Sequence, residues 1–314
     1  MLKDKSAAEL ADYYGQVELP GDFDAFWEET IAQSRAKAQP PVLELVEQTP
    51  VLDIFDLTFS GFDGEPIKGW VRVPKGVDKA AVVVSYVGYN GGRGHWLENL
   101  TWASLGFVSV QMDSRGQGSG WSLGDTPDPH GSGPQIPGVM TKGISSREDY
   151  YYRRLLTDAV LCADAAASLK WSNGLLFTVG DSQGGLMSLT AAALSDKVTR
   201  SFAAVPYMCD IRHAVETTED RPFAEISDYL GVHRTEVEAV YKVLGYFDGV
   251  NFARKAKVPV FMTVGMEDSV VPASTVFAAY NNCPTRKRLQ VWTHNGHESG
   301  EIYDVVLARE FFEA

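Results

Sequence analysis

Six short apolar runs constrain the fold of this chain more than any other feature. They do not alternate with polar residues, and they occupy residues 80–86, 106–113, 175–180, 201–207, 258–265 and 288–293. Such runs are typical of strands that are buried on both faces of a parallel sheet. Helix-like segments lie between several of them, so the order of elements predicts an α/β fold with a mostly parallel, doubly wound sheet.

The N-terminal part of the chain has a different pattern. Residues 5–38 are predicted to be mostly helical, with Asp22 or Asp24 able to cap the longer helix. Between about residues 50 and 73, apolar and polar residues alternate on either side of "GFDGE", which is typical of a hairpin. We therefore expect N-terminal helices and an antiparallel start to the sheet.

Two segments interrupt the alternation of strands and helices. Residues 114–146 form a long loop rich in Gly and Pro, and long loops in compact domains are usually functional or make contacts. Residues 208–254 contain several short helix-like segments, which we expect to form an insertion over the carboxyl ends of the strands. With no linker or internal repeat evident, residues 1–314 are predicted to be a single domain.

Composition excludes several classes of function. The net charge of −13 argues against binding to a phosphate backbone. No stretch approaches the roughly 20 apolar residues that cross a bilayer, and the N-terminus lacks the apolar core of a secretory signal. We expect a cytoplasmic protein without nucleic-acid or membrane partners. The three cysteines are widely spaced and are expected to be buried free thiols: Cys162, Cys209 and Cys283.

The pentapeptide Gly180-Asp181-Ser182-Gln183-Gly184 is the strongest indication of chemistry. It follows an apolar strand-like run and precedes a helix-like segment rich in Ala and Leu. That is the strand–turn–helix context of the nucleophile elbow in an α/β-hydrolase fold. A tight turn with an inert serine is the alternative, and the context favours Ser182 as a nucleophile.

A serine nucleophile needs a base, and this fold places the acid before the histidine in chain order. His297 lies in "THNGHESG" after the last apolar run; His294 directly follows that run and fits a structural role better. Four other histidines lie elsewhere: His95, His130, His213 and His233. For the acid, Asp268 follows the preceding run, with Glu267 as the fallback and capping of the next helix as the alternative role.

Neither a metal nor an organic cofactor is expected. The pair His294 and His297, with Glu298 beside it, lacks the helical spacing of a zinc motif, and no other ligand is evident.

A serine esterase also requires an oxyanion hole of two backbone N–H groups. Gln183 supplies one as the residue after the nucleophile, and Tyr89 in "SYVGYNGGRG" is predicted to supply the other. A glycine-rich connector without a catalytic part is the alternative for that loop.

Together these stretches resemble the acetyl xylan esterase and cephalosporin-C deacetylase family, the seventh family of carbohydrate esterases. The resemblance rests on "YVGYNGGRG", "DSRGQGSGWSLGDTPD", "PGVMTKGI", "YYYRRLLTDAV", "GDSQGG", "YFDGVNFA", "VPASTVFAAYNN" and "NGHE". It extends from about residue 22 to the end and is far more specific than the serine pentapeptide alone.

The resemblance implies site residues and an assembly. It implies a triad of Ser182, Asp268 and His297, and an oxyanion hole made by the backbone N–H groups of Tyr89 and Gln183. It also implies a structural role for Arg115 to Gln117, and a small acyl and alcohol pocket near Tyr207, Pro222 and Val270. Family members commonly form homo-hexamers with active sites in an internal chamber, and residues 114–146 are suited to such contacts.

The chain departs from the family pattern at three positions. Asp181 stands where many relatives have glycine, His294 where they have tyrosine, and Val271 where cysteine is common. Side chains alternate along a strand, so we expect Asp181 to point away from the Ser182 oxygen. We also expect its carboxylate to form hydrogen bonds with neighbouring loops.

The predicted function is that of a serine carboxylesterase. It would remove acetyl groups from small esters such as acetylated xylo-oligosaccharides and cephalosporin C. A lipase-like esterase with a preference for longer acyl groups is one alternative, because "GDSxGG" also occurs there, but the chain lacks an upstream HGGG segment. The other alternative, a non-catalytic binding protein, fits less well because all three triad residues are present.

Overall fold

A single mixed sheet forms the centre of the protein. The computed structural model describes residues 4–131 and 133–314. Its strands are β1 (Val42–Gln48), β2 (Leu52–Ser60), β3 (Pro66–Pro74), β4 (Ala80–Tyr86), β5 (Val108–Met112), β6 (Ser172–Asp181), β7 (Arg200–Ala204), β8 (Val260–Gly265) and β9 (Lys287–Trp292). They form one nine-stranded sheet in the order β1-β2-β3-β5-β4-β6-β7-β8-β9.

Strand direction divides this sheet into two parts. β1, β2 and β3 pair antiparallel, and β3 pairs antiparallel with β5. The remaining neighbours, from β5 through β4 to β9, are all parallel. The predicted α/β class with an antiparallel start is therefore confirmed, and the six apolar runs correspond to β4 to β9. β1 was not predicted, because its apolar side chains are largely exposed, Val42 at 55% and Leu45 at 52%.

Helices lie on both faces of the sheet and between its strands. They are α1 (Ala7–Leu10), α2 (Phe23–Lys37), α3 (Thr101–Ser104), α4 (Tyr151–Ala167), α5 (Gln183–Leu194), α6 (Ile211–Thr217), α7 (Phe223–Val232), α8 (Val237–Leu244), α9 (Gly249–Lys255), α10 (Ala273–Asn282) and α11 (Ile302–Glu313). The predicted insertion at 208–254 consists of α6 to α9. Between β4 and β5, the helix is limited to the four residues of α3.

The prediction for residues 5–38 was wrong in two respects. Residues 11–22 separate α1 from α2 and are not helical. Asp22 precedes α2, but its side chain makes no capping hydrogen bond. Its carboxylate instead accepts hydrogen bonds from Arg147 and from the hydroxyl of Tyr246. The acidic side chain is therefore used in a long-range contact rather than at its own helix.

The two faces of the sheet bury different clusters of side chains. Val82 and Val84 face the larger core, which includes residues of α2, α4, α5 and α10. Val83, Phe177 and Phe202 face the smaller core, which α3 and α11 cover. This alternation is the expected consequence of the strand pleat. It leaves the carboxyl ends of the parallel strands open for the loops that build the site.

A buried ion pair links the loop after β5 to α4 and to the β2–β3 turn. Arg115 donates from Nε to Asp158 Oδ2 at 2.6 Å and from Nη2 to Oδ1 at 2.8 Å. Both side chains are fully buried. Asp158 Oδ1 also accepts from the Phe62 N–H at 2.8 Å, and Arg115 Nη1 donates to Glu65 at 2.5 Å. Three segments distant in sequence are thereby fixed to one another.

The predicted burial of the cysteines is observed. Cys162, Cys209 and Cys283 are free thiols within the core. As for membrane crossing, none of the helices in the described residues has both the length and the apolar character that a bilayer span requires.

Removal of the Asp158 charge tests the importance of the buried pair. Asp158→Asn is expected to lower the free energy of unfolding by about 3 kcal/mol, because it leaves part of the Arg115 charge buried without its partner. Urea denaturation followed by circular dichroism measures the change.

The matched control is Asp164→Asn, which breaks a more exposed pair with Arg35. Its effect is expected to be below about 1 kcal/mol, since solvent screens such pairs. Equal effects of the two substitutions would contradict a special role for the buried pair.

Candidate active site

Ser182 lies at the sharp turn between β6 and α5. Its backbone has φ +57° and ψ −117°, a conformation that is strained for a residue with a side chain. A Cβ atom at Gly180 would lie 2.4 Å from the carbonyl carbon of Gly184, and one at Gly184 would lie 2.4 Å from the carbonyl oxygen of Tyr86. The turn therefore requires both glycines, and its geometry is that of a nucleophile elbow.

Asp268 and His297 meet at the carboxyl ends of the last two strands. The Asp268 side chain is fully buried, and its Oδ1 accepts from the N–H groups of Val270 at 2.8 Å and Val271 at 2.9 Å. Its Oδ2 lies 2.9 Å from His297 Nδ1. A carboxylate can only accept, so Nδ1 carries the proton and Nε2 is left as the basic nitrogen.

Backbone contacts hold the two loops of this pair together. The Glu267 N–H donates to Asn295 O at 2.9 Å, and the Met266 N–H donates to Trp292 O at 3.0 Å. A Cβ atom at Gly265 would lie 2.1 Å from the Gly296 oxygen, so the loops approach closely there. These backbone contacts at the ends of β8 and β9 therefore align Asp268 with His297.

The two predicted oxyanion-hole residues are tied together by the side chain of Gln117. Trp121 Nε1 donates to Tyr89 O at 2.8 Å, and the Asn90 N–H donates to Gln117 Oε1 at 2.7 Å, so the Tyr89–Asn90 peptide is held on both sides. Gln117 Nε2 also donates to Gln183 Oε1 at 2.9 Å. Gln183 is the first residue of α5, where N–H groups have no partner within the helix.

Glu225 is a residue of the site that the sequence analysis missed. Its carboxylate accepts from the Tyr89 hydroxyl at 2.8 Å and from the Met140 N–H at 3.1 Å. The Val139 N–H donates to that same hydroxyl at 2.8 Å. Burial raises the pKa of Glu225. No motif marks this position, because a single acid in a short helix is usually a surface residue.

These residues surround one cavity of about 690 Å³, within the range of small-molecule sites. Ser182 lines it together with two sets of residues, which we name the loop arm and the sheet-face arm after the elements that supply them. The loop arm is lined by Tyr89, Asn90, Trp121, Arg221, Pro222, Glu225, Val270 and His297. The sheet-face arm lies between α3 and α11 and is lined by Ser85, Asn99, Thr101, Trp102, Gln111, Val179, Asp181, Phe202, Glu301, Asp304 and Val305.

The remaining predicted residues are distributed around the loop arm. Pro222 and Val270 line it directly. Tyr207 is fully buried and does not line the cavity, because its ring packs on Phe223 with centroids 4.3 Å apart. Its N–H group donates to Ser182 O at 3.0 Å, so it supports the turn from behind. His294 is exposed on the loop that carries His297.

Asp181 is the charged residue directly before the serine in the chain. Strand alternation places it with Val179 on the face covered by α3 and α11. The prediction that its carboxylate forms hydrogen bonds with loops was wrong, because no described residue donates to it and it is exposed in the sheet-face arm. The enclosing walls exclude most bulk water, and together with the charge of Asp304 this raises the pKa of Asp181 to about 6.

A serine raised on the turn after a central parallel strand is the hallmark of α/β-hydrolases, and the chain is an enzyme of that class. Structural comparison agrees. An esterase from Pyrococcus furiosus has a TM-score of 0.56 at 16% identity, with 87% of this chain and 95% of that chain covered. At that identity the likeness concerns the fold alone.

Within this class, the chain belongs to the acetyl xylan esterase family, whose sequence model matches residues 1–313. Membership in that family makes it a carboxylic ester hydrolase. The resemblance noted from the motifs is thereby confirmed, and the match extends over nearly the whole chain.

Individual relatives match this chain over different shares of their own length. An acetyl xylan esterase from Paenibacillus sp. R4 is 34% identical, with a TM-score of 0.92 and coverage of 98% of this chain and 99% of that one. Acetyl xylan esterase 1 from Thermoanaerobacterium sp. JW/SL YS485 is 30% identical, with a TM-score of 0.90 and 99% coverage of both. Acetyl esterase Axe7A of Xylanibacter ruminicola is 25% identical over 282 residues, and this chain spans 63% of its length.

The strain at Ser182 leads to a prediction about stability. Ser182→Gly is expected to raise the free energy of unfolding by about 1 kcal/mol, because glycine adopts this backbone conformation without steric cost. Ser182→Ala keeps the Cβ atom and is expected to bring no such gain. Thermal and urea unfolding of the two variants measure the difference. Equal stability of both would contradict the assignment of strain to the Cβ atom.

Asp181 leads to a prediction about pH. The folded protein raises the pKa of this group to about 6, against about 3.9 in the unfolded chain, so its ionisation opposes folding above that range. Asp181→Asn is expected to increase the free energy of unfolding at pH 7 to 8, because it removes this unfavourable charge. The increase is expected to be only about 1 kcal/mol, because the carboxylate keeps some contact with water. The gain should shrink as the pH falls from 6 to 4 and disappear below about pH 3, where the wild-type side chain is protonated in both states.

Urea denaturation of both proteins across this pH range provides the measurement. A difference that stayed constant with pH would contradict the role of the Asp181 charge.

Proposed function

We propose that the chain removes acetyl groups from small esters through Ser182, His297 and Asp268. Acetylated xylo-oligosaccharides and cephalosporin C are the proposed substrates. The observation that carries this proposal is the buried Asp268 carboxylate, which is held by two N–H groups and lies 2.9 Å from His297 Nδ1. His297 and the strained Ser182 line the same cavity.

In the first step, His297 Nε2 accepts the proton of the Ser182 hydroxyl as Oγ attacks the acetyl carbonyl carbon. The carbonyl oxygen gains the negative charge and accepts hydrogen bonds from the N–H groups of Tyr89 and Gln183. Loss of one such donor typically costs about 3 kcal/mol of transition-state stabilisation. Asp268 stays ionised and stabilises the imidazolium of His297.

In the second step, the bond between the acetyl carbon and the alcohol oxygen breaks. His297 gives its proton to that oxygen, and the alcohol leaves. The acetyl group is then an ester of Ser182. Water gives a proton to His297 and attacks the same carbon, after which Ser182 recovers its proton and acetate is released.

The names of the relatives support acetyl esters as the substrate class, since two of these proteins are acetyl xylan esterases and one is an acetyl esterase. Pro222 and Val270 provide apolar walls in the loop arm, which are suited to the methyl group of an acetyl ester. The homo-hexamer and the cytoplasmic location stay predictions.

Hydrolysis of p-nitrophenyl acetate tests the proposal. Ser182→Ala, His297→Gln and Asp268→Asn are each expected to lower kcat/KM by about 10³-fold or more, because the residues act as one unit. The matched control is His294→Gln, which changes an exposed imidazole three residues away and should leave kcat/KM unchanged.

Undiminished hydrolysis by Ser182→Ala would overturn the nucleophile assignment. A larger loss for His294→Gln than for His297→Gln would overturn the choice of base. Hydrolysis of p-nitrophenyl hexanoate as fast as that of the acetate would contradict the acetyl preference.

A further inference from the structure

We propose that the sheet-face arm binds a sugar unit of the substrate, with Asp181 accepting hydrogen bonds from its hydroxyl groups and Gln111 donating to them. This inference rests on the proposed function, because the sugar unit is the alcohol part of the ester that Ser182 is proposed to hydrolyse.

The register of the sheet places these groups around one space. Ser85 pairs with Gln111 on one side and with Val179 on the other, so the three side chains form a row across the sheet. Asp181 lies one pleat further along β6, next to Ser182. Gln111 and Asp181 lie two strands and one pleat apart on the same face of the sheet. With strands about 4.8 Å apart and alternate residues about 7 Å apart, their Cα atoms are separated by about 12 Å, which leaves room for one sugar ring between the two side chains.

Gln111 is a buried donor whose direction is fixed. The residue is 4% exposed, and its Oε1 accepts from Arg72 Nη1 at 3.0 Å. A guanidinium has only donors, so Oε1 must face Arg72 and Nε2 must face the cavity. No described residue accepts a hydrogen bond from Nε2. Gln111 lines the cavity, so a ligand oxygen in the arm can accept a hydrogen bond from Nε2.

Asp181 offers the complementary acceptor. No described residue donates to its carboxylate, although the group is exposed in the arm. Asp304 in the same wall is already engaged, because it accepts from Trp292 Nε1 at 2.9 Å and from the Gly300 N–H at 3.0 Å. Asp181 therefore has free lone pairs directly beside Ser182, and it can accept several hydroxyl hydrogens at once.

The chemistry of the arm favours a hydroxylated ligand. An aliphatic acyl chain would remove water from Asp181 without replacing its hydrogen bonds, which is unfavourable. Hydroxyl groups both donate to the carboxylate and accept from the Gln111 amide. Trp102 lines the same arm and supplies the aromatic surface common in small-molecule sites. The arm therefore fits the alcohol side of the ester rather than the acyl side.

Binding of xylobiose to the intact protein tests the inference, since a free sugar contains no ester and is not consumed. Titration calorimetry is expected to show saturable binding by the wild type. Asp181→Ala is expected to raise Kd about tenfold or more, because it removes a charged acceptor. Gln111→Glu keeps an acceptor for Arg72 but replaces the donor, and it is expected to weaken binding to a similar degree.

The matched control is Asp196→Ala, which removes an exposed carboxylate paired with Lys257 outside the arm. It should leave Kd unchanged, and thermal unfolding confirms that each variant is folded. The inference would be overturned by equal affinity in all variants, by the absence of binding to the wild type, or by tighter binding of glucosamine than of xylobiose.

Hydrolysis of p-nitrophenyl acetate by the same wild-type sample separates the two proposals. Hydrolysis without xylobiose binding would overturn the sugar site and leave the proposed function standing. Binding that depends on Asp181 and Gln111, without hydrolysis, would support the sugar site and overturn the proposed function.

Discussion

The ion pair between Arg115 and Asp158 is the interaction on which the geometry of the site depends. Both side chains are fully buried, and the pair joins α4 to the loop after β5. The carbonyl of Arg115 also accepts from the Tyr151 hydroxyl at 2.6 Å. Gln117 follows two residues later and contacts both the Tyr89 loop and Gln183. The buried charges therefore fix the position of the side chain that links the two predicted oxyanion-hole residues.

Much of this fold could be predicted from the sequence because its central strands are buried on both faces. Continuous apolar runs have few explanations other than parallel strands, and β4 to β9 all lie in such runs. The features that the sequence analysis missed have no strong signal in their own residues. β1 has an exposed face and depends on its pairing with β2, and Asp22 binds Arg147 instead of capping α2.

The residues of the site also differ in how far the sequence could predict them. Chain order and strand ends were sufficient to choose Asp268 and His297, whose side chains do meet in the structure. Sequence could not predict that Tyr89 contacts Glu225, 136 residues away, since no local pattern encodes that distance. Asp181 lines the same cavity as Ser182, and its orientation away from the Ser182 oxygen stays a prediction. That no described residue donates to Asp181 could not be predicted, because it depends on which groups the fold brings to this side chain.

Trp121 connects the surface of the protein to this interior. Its indole is 66% exposed, yet its Nε1 donates to Tyr89 O, and its ring lies so close to Gly91 that a Cβ atom there would be 2.3 Å away. An indole in water and an indole in a filled cavity fluoresce differently. The protein thus contains its own spectroscopic reporter, one hydrogen bond from the Tyr89 loop, and the emission of Trp121 would change whenever that loop moves or a ligand covers the ring.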